Sequence, residues 1–153
     1  MRLKSTLFIG VATLLMSLPL VGCNQPSSGG SSPSGNMTES YRKGRELYKQ
    51  ITGVDLPVLD NLEVDEEGLS HFNAQSTDIC FDIIGGSALN YQTYKVFEDF
   101  FKGLFGNCDD GYPSGNEQEG QDDQWTTPEY SWFQAYWDAS NTAIYLNYMK
   151  MVY

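Results

Sequence analysis

The chain has 153 residues, 9 Lys and Arg against 20 Asp and Glu, and a formal charge of −11, a length that suits one domain and leaves no room for a second full one. Aromatic residues at 14% and hydrophobic residues at 41% supply one core and exclude a wholly disordered chain. The negative balance repels phosphates, which argues against nucleic acid as a partner and against an anionic bilayer surface as an electrostatic target.

Arg2 and Lys4 make a short positive start, and Leu7 to Leu18 form an apolar run followed by small residues, the layout of a secretory signal peptide. That run is too short to span a bilayer as an ordinary helix. The segment Leu20-Val21-Gly22-Cys23 resembles the lipobox of bacterial lipoproteins. The resemblance implies that residues 1–22 are removed and that Cys23 carries diacylglycerol on sulfur, often with an acyl chain such as palmitate on its new amine. Two or three chains anchor far more firmly than one, so the mature protein is expected to be tethered to a membrane and exposed on its extracytoplasmic side. Asn24 stands where Asp would mark inner-membrane retention, which favours the outer membrane in a Gram-negative host. Loss of Arg2 and Lys4 leaves 7 of the 9 basic side chains against 20 acidic ones, a formal charge of −13.

Residues 23–37 read as a linker. From Asn24 to Met37 there is neither acid nor base, only a Gly, Ser and Pro-rich stretch with an r.m.s. span of about 20 Å. Residues 38–153 then form the single folded domain. Its first helix is predicted from Thr38 or Ser40 to Thr52, with Tyr41, Leu47, Tyr48 and Ile51 along one face and Gly53 and Pro57 as the stop. Between Leu62 and Ile84 the apolar period shortens to two. Phe72 and Ala74, then Ile79, Phe81 and Ile83, predict two or three short antiparallel strands, with turns at Glu66-Glu67-Gly68 and at Gln75 to Thr77.

After Gly85-Gly86 the helical period returns. Tyr94, Phe97, Phe101 and Leu104 predict a helix from about Leu89 to Phe105, capped by Ser87 or Asn90 and stopped at Gly106-Asn107, with Glu98 and Lys102 paired on its wet face. Asp138-Ala139-Ser140-Asn141 separates two strand candidates, Tyr130 to Trp137 and Thr142 to Val152, which read as a hairpin. The economical assembly is α+β: an antiparallel sheet of four or five strands with two helices on one face, in the order helix, strands, helix, strands. Tyr48 to Gly53 and Phe101 to Gly106 look faintly alike at the two helix ends, which permits a duplicated unit without establishing one.

With Cys23 given to lipid by the lipobox resemblance, Cys80 and Cys108 remain as an even pair, expected to form a disulfide that pins the helix exit to the sheet. In the chain-entropy account such a bridge adds roughly 3–4 kcal/mol. A redox or metal-binding pair lacks the Cys-x-x-Cys spacing. His71, the single histidine, has no evident nucleophile or carboxylate partner and reads as a partly exposed strand residue. Gly85-Gly86-Ser87 could present N–H groups to an anion, but it lacks a phosphate-loop lysine and a nucleophile elbow, and reads as a tight strand-to-helix turn.

Asp109, Asp110, Glu117, Glu119, Asp122 and Asp123 offer hard oxygen ligands for Ca²⁺ without the order of an EF-hand loop, so a solvated loop is the simpler expectation and no cofactor is assigned. The aromatic cluster is more informative. In an extended strand Tyr130, Trp132 and Tyr136 face one way and Phe133 and Trp137 the other, yet only one face can meet the helices. Tyr130, Trp132, Tyr136 and Trp137 are therefore the candidate partner residues, since exposed aromatics mark protein, peptide or sugar contacts. The expected function is a lipid-anchored extracytoplasmic binding module for an envelope protein or glycan. The alternative is an extracytoplasmic hydrolase using a carboxylate pair, recognisable by two carboxylates facing one cleft.

Overall fold

A computed structural model describes residues 35–152. The signal peptide, Cys23 and most of the linker lie outside the described residues. Among the described residues three helices and six strands follow in chain order: α1 (Glu39–Thr52), β1 (Glu63–Val64), α2 (Glu66–Leu69), β2 (Asp78–Gly85), α3 (Tyr91–Phe105), β3 (Ser114–Asn116), β4 (Gly120–Thr126), β5 (Ser131–Asp138) and β6 (Ala143–Lys150). They build one antiparallel sheet in the order β1-β2-β6-β5-β4-β3. The α+β class is as expected, while the sheet is larger than the expected four or five strands. Two strands follow α1 and four follow α3, so the faint likeness of the helix ends does not extend to matching halves.

The two long helices are set by their own termini. Thr38 accepts a hydrogen bond from the Tyr41 amide at 3.2 Å and opens α1. Gly53, at φ +79°, closes it with an N–H donated to the Lys49 carbonyl at 2.8 Å. Tyr41, Gly44 and Tyr48 form the buried stripe of α1. Both tyrosine rings meet Phe81 of β2 edge-on, with centroids at 6.1 and 5.6 Å. A Cβ on Gly44 would lie 2.5 Å from the Phe81 ring, so the missing side chain lets the helix approach the sheet. In α3 the Asn90 side chain accepts from the Thr93 amide at 3.0 Å, and Tyr94, Phe97 and Phe101 turn inward.

Inward-facing residues alternate along the strands: Ile79, Phe81 and Ile83 on β2, Phe133, Ala135 and Trp137 on β5, and Ile144, Leu146 and Tyr148 on β6. With the apolar stripes of α1 and α3 they make a single core on one side of the sheet. The other side carries the exposed or half-buried members of the same strands. Among the described residues no helix is long and apolar enough to cross a membrane.

Four expectations need correction. Glu66 to Leu69 is a helical turn rather than a plain turn, and Phe72 to Ala74 is not a strand: the chain there runs through turns in which Asn73 Oδ1 accepts from the Gln75 amide and the Asn73 amide donates to Ser76 Oγ. The acidic stretch from Asp109 to Asp123 is not all loop, because β3 and the start of β4 form a hairpin within it. Glu98 is not on a wet face. Its residue is 1% exposed, and its carboxylate is ion-paired with both Lys95 and Lys102 of the same helix.

Candidate functional site

The side of the sheet away from the helices carries three cross-strand rows. Register pairs Asp82 with Tyr145, Tyr145 with Tyr136 and Tyr136 with Asp122. The next row runs Cys80, Asn147, Gln134, Gln124, and the third Asp78, Met149, Trp132, Thr126. Tyr136 and Tyr145 stack with centroids at 5.9 Å and planes 16° apart. Around them the amides are locked to one another. Asn147 Nδ2 donates to Gln134 Oε1 at 2.9 Å, Gln134 Nε2 to Asp122 Oδ1 at 2.9 Å, Gln124 Nε2 to Asp122 Oδ2 at 3.0 Å, and the Trp132 indole N–H to Gln124 Oε1 at 3.0 Å.

This continuous network fixes the side chains of three strands in one plane. Asn147 Oδ1 is buried beneath it without a hydrogen-bond partner. Burial and the nearby Asp65 carboxylate push the Asp82 carboxyl above its ordinary range, and burial with Asp138 and Asp82 raises the Tyr145 phenol. An open groove of about 580 Å³, lined by Thr77, Asp78, Met149, Lys150, Met151 and Val152, continues the face at one end.

The four candidate aromatics divide between the two sides. Trp132 and Tyr136 lie on the face just described. Trp137 turns to the helices at 5% exposure, packs edge-on against Tyr91 at 6.0 Å, and donates its indole N–H to the Glu117 carbonyl at 2.9 Å. Tyr130 stands before β5 at φ +58°, where the chain leaves strand geometry, and its carbonyl accepts from the Met151 amide at 2.8 Å. Sequence reasoning missed Asp82, Gln124, Gln134, Tyr145 and Asn147. Their signal was present, since Tyr145, Asn147 and Met149 alternate with the core residues of β6.

The structure shows no bridge between the expected pair: Cys80 and Cys108 are both free. Cys80 alternates with Ile79 and Phe81 and therefore projects from the side of β2 opposite the helices, whereas Cys108, just past α3, packs against the core. The sheet stands between them. Burial together with Asp82 and Asp78 raises the Cys80 thiol, and burial with Asp123 raises that of Cys108.

The six acidic candidates do not converge, and among the described residues no group of three His, Cys, Asp or Glu side chains is placed to hold a metal. Asp109 accepts from the Thr126 amide at 3.2 Å and hydroxyl at 2.8 Å, Glu119 from Asn116 at 2.7 Å, and Asp122 belongs to the amide network. Asp110 and Glu117 are exposed. Asp123 is fully buried on the helix side, where it accepts from the Tyr94 hydroxyl and from Gln121 Nε2 at 3.0 Å.

Glu98 lies near enough for its charge to act on Asp123. Burial first, and then Glu98, raise the Asp123 carboxyl; for Glu98 burial pushes upward, but hydrogen bonds from Lys102 and Lys95 outweigh it and hold the group low. Both residues are closed off from solvent. His71 is exposed in a turn, its N–H 3.4 Å from the Gly68 carbonyl. At Gly85-Gly86-Ser87 the following amides are already used, Ala88 donating to Asn61 and Leu89 to Gly86, each at 3.1 Å.

Searches of protein-family models, of curated proteins and of solved structures give no match to this chain.

Proposed function

We propose that the protein is a lipid-anchored extracytoplasmic binding module, held in the bacterial envelope by Cys23 and docking an envelope protein or glycan on the side of its sheet away from the helices. The observation that carries this reading is the face itself: two stacked tyrosines beside an indole held by a continuous amide network, on the side of the sheet away from the core. A surface fixed in advance loses less side-chain entropy on binding. The hydrolase alternative needs a carboxylate pair that a substrate can reach. Glu98 and Asp123 are shut beneath α3, whereas the second interacting pair, the half-buried Asp65 and Asp82, does not line the open groove.

The experiment has two arms. In a bacterial host the full chain should fractionate with membranes, and Cys23→Ala should release it or leave it unprocessed. A photo-crosslinking phenylalanine at position 136 should trap an envelope component, whereas the same group at Gln92 on α3 should not. Equal trapping from both positions, or none from position 136, overturns the reading.

A further inference from the structure

Charge is sorted between the two sides of the sheet. Every lysine and arginine of the described residues except Lys150 sits on α1 or α3. Those cations are spent locally: Arg42 on Glu39 and Glu46, Lys43 on Glu66, Arg45 and Lys49 on Asp55, and Lys95 and Lys102 on Glu98. The opposite face carries Asp78, Asp82 and Asp122 on its rows, and none of the three is in an ion pair within the described residues. Asp122 takes its hydrogen bonds from the neutral amides of Gln134 and Gln124, which leaves its charge uncompensated.

The row Asp82, Tyr145, Tyr136, Asp122 thus places a carboxylate at each end of a stacked pair of rings. Resting on the binding-module reading above, we propose that the occupant of this face is a basic, extended protein segment, whose Lys or Arg side chains lie along the Tyr136 and Tyr145 rings and end at Asp82 and Asp122. Adjacent strands are about 4.8 Å apart, so the two carboxylates, three strands apart, are separated by about 14 Å. Residues i and i+4 of an extended chain are about 13–14 Å apart and point the same way. A segment crossing the strands with basic residues at that spacing therefore meets both ends of the row. Phenol rings favour cations over their faces, and guanidinium adds a planar fork for carboxylate. The amides of the neighbouring row are occupied with one another, which disfavours a sugar needing many free donors and acceptors.

The test is an NMR titration of the isotope-labelled full chain with three probes. These are a Gly/Ser peptide with two arginines four residues apart, the same peptide with glutamine at both positions, and an N-acetylglucosamine tetramer. The arginine peptide should shift the amides of Asp82, Tyr145, Tyr136 and Asp122. Its affinity should fall about tenfold between low and high salt, as expected for a mainly electrostatic contact. Asp82→Asn should weaken it several-fold, and so should Tyr136→Leu, which leaves the charge unchanged and separates this site from general attraction to an acidic protein. Arginine-peptide shifts scattered over the acids of α1 and α2 overturn the proposal. So does equal binding of the glutamine peptide or the sugar at the face, an outcome that leaves the binding-module reading intact. If no probe moves the face, the basic-segment proposal falls, while crosslinking from position 136 separately decides whether the face binds at all.

Discussion

Trp132 and Trp137 sit five residues apart on one strand and do opposite work. Trp137 is closed in by Tyr91 and the β3–β4 hairpin, so Trp137→Ala should cost about 3–5 kcal/mol in a urea melt. Trp132 is half-buried on the open face and held by one hydrogen bond to Gln124, so Trp132→Ala should cost well under half as much. Equal losses would mean that both indoles are core. The cysteines give a second prediction at this scale. Without reductant both Cys80 and Cys108 should alkylate, Cys80 first because it is exposed, and mass analysis should show two adducts on the domain. An unreactive pair that yields only after reduction would restore the bridge expected from the cysteine count.

Elements were legible where a polar cap and an apolar period agreed. Thr38 and Gly53 bracket α1, Asn90 and Gly106 bracket α3, and the β5–β6 hairpin declares itself by alternation on either side of Asp138 to Asn141. Legibility failed where chemistry masked the period. In β4 the buried side chains are Gln121, Asp123 and Trp125, so two of the three are polar and the strand reads as an acidic loop. Glu98 misled in the same way, because an i,i+4 pair with Lys102 looks the same in sequence whether solvent or protein surrounds it. The open face was half legible: its aromatics could be assigned by parity, but the amide network needs the register of three strands at once. The turn from β2 into α3 carries its own prediction. Gly86 has φ +103°, and a Cβ there would lie 2.1 Å from the Asn61 carbonyl oxygen. Gly86→Ala should destabilise by at least about 1–3 kcal/mol, measured by thermal or urea unfolding, whereas Gly103→Ala, with open space around it on α3, should be neutral or stabilising.

Over the whole molecule, the helices carry the paired cations, the core side hides a carboxylate at Asp123, and the open face holds unpaired acids at Asp78, Asp82 and Asp122. That distribution fixes the sign of the pH response. Asp123 and Asp82 have folded pKa values above their unfolded ones, so their contribution to stability is complete below the unfolded value and is lost as pH rises through the folded one. Glu98 is depressed, so its contribution is present above the ordinary carboxylate range and is lost only as pH falls through its lowered value. The urea midpoint should therefore rise as pH falls from neutral toward the ordinary carboxylate range, then drop in stronger acid. Asp123→Asn should flatten the first limb and leave the second.

The central claim is that the sheet has one side for stability and one for contact. Hydroxyl-radical footprinting compares the purified full chain with the same chain in isolated cell envelopes and reads aromatic, methionine and exposed aliphatic side chains at once. Trp132, Tyr136, Tyr145 and Met149 should label in the purified protein and be protected in the envelope, while Leu104 on α3, itself 51% exposed, labels equally in both. Unchanged labelling of the open face, or protection confined to the helix layer, would contradict the account.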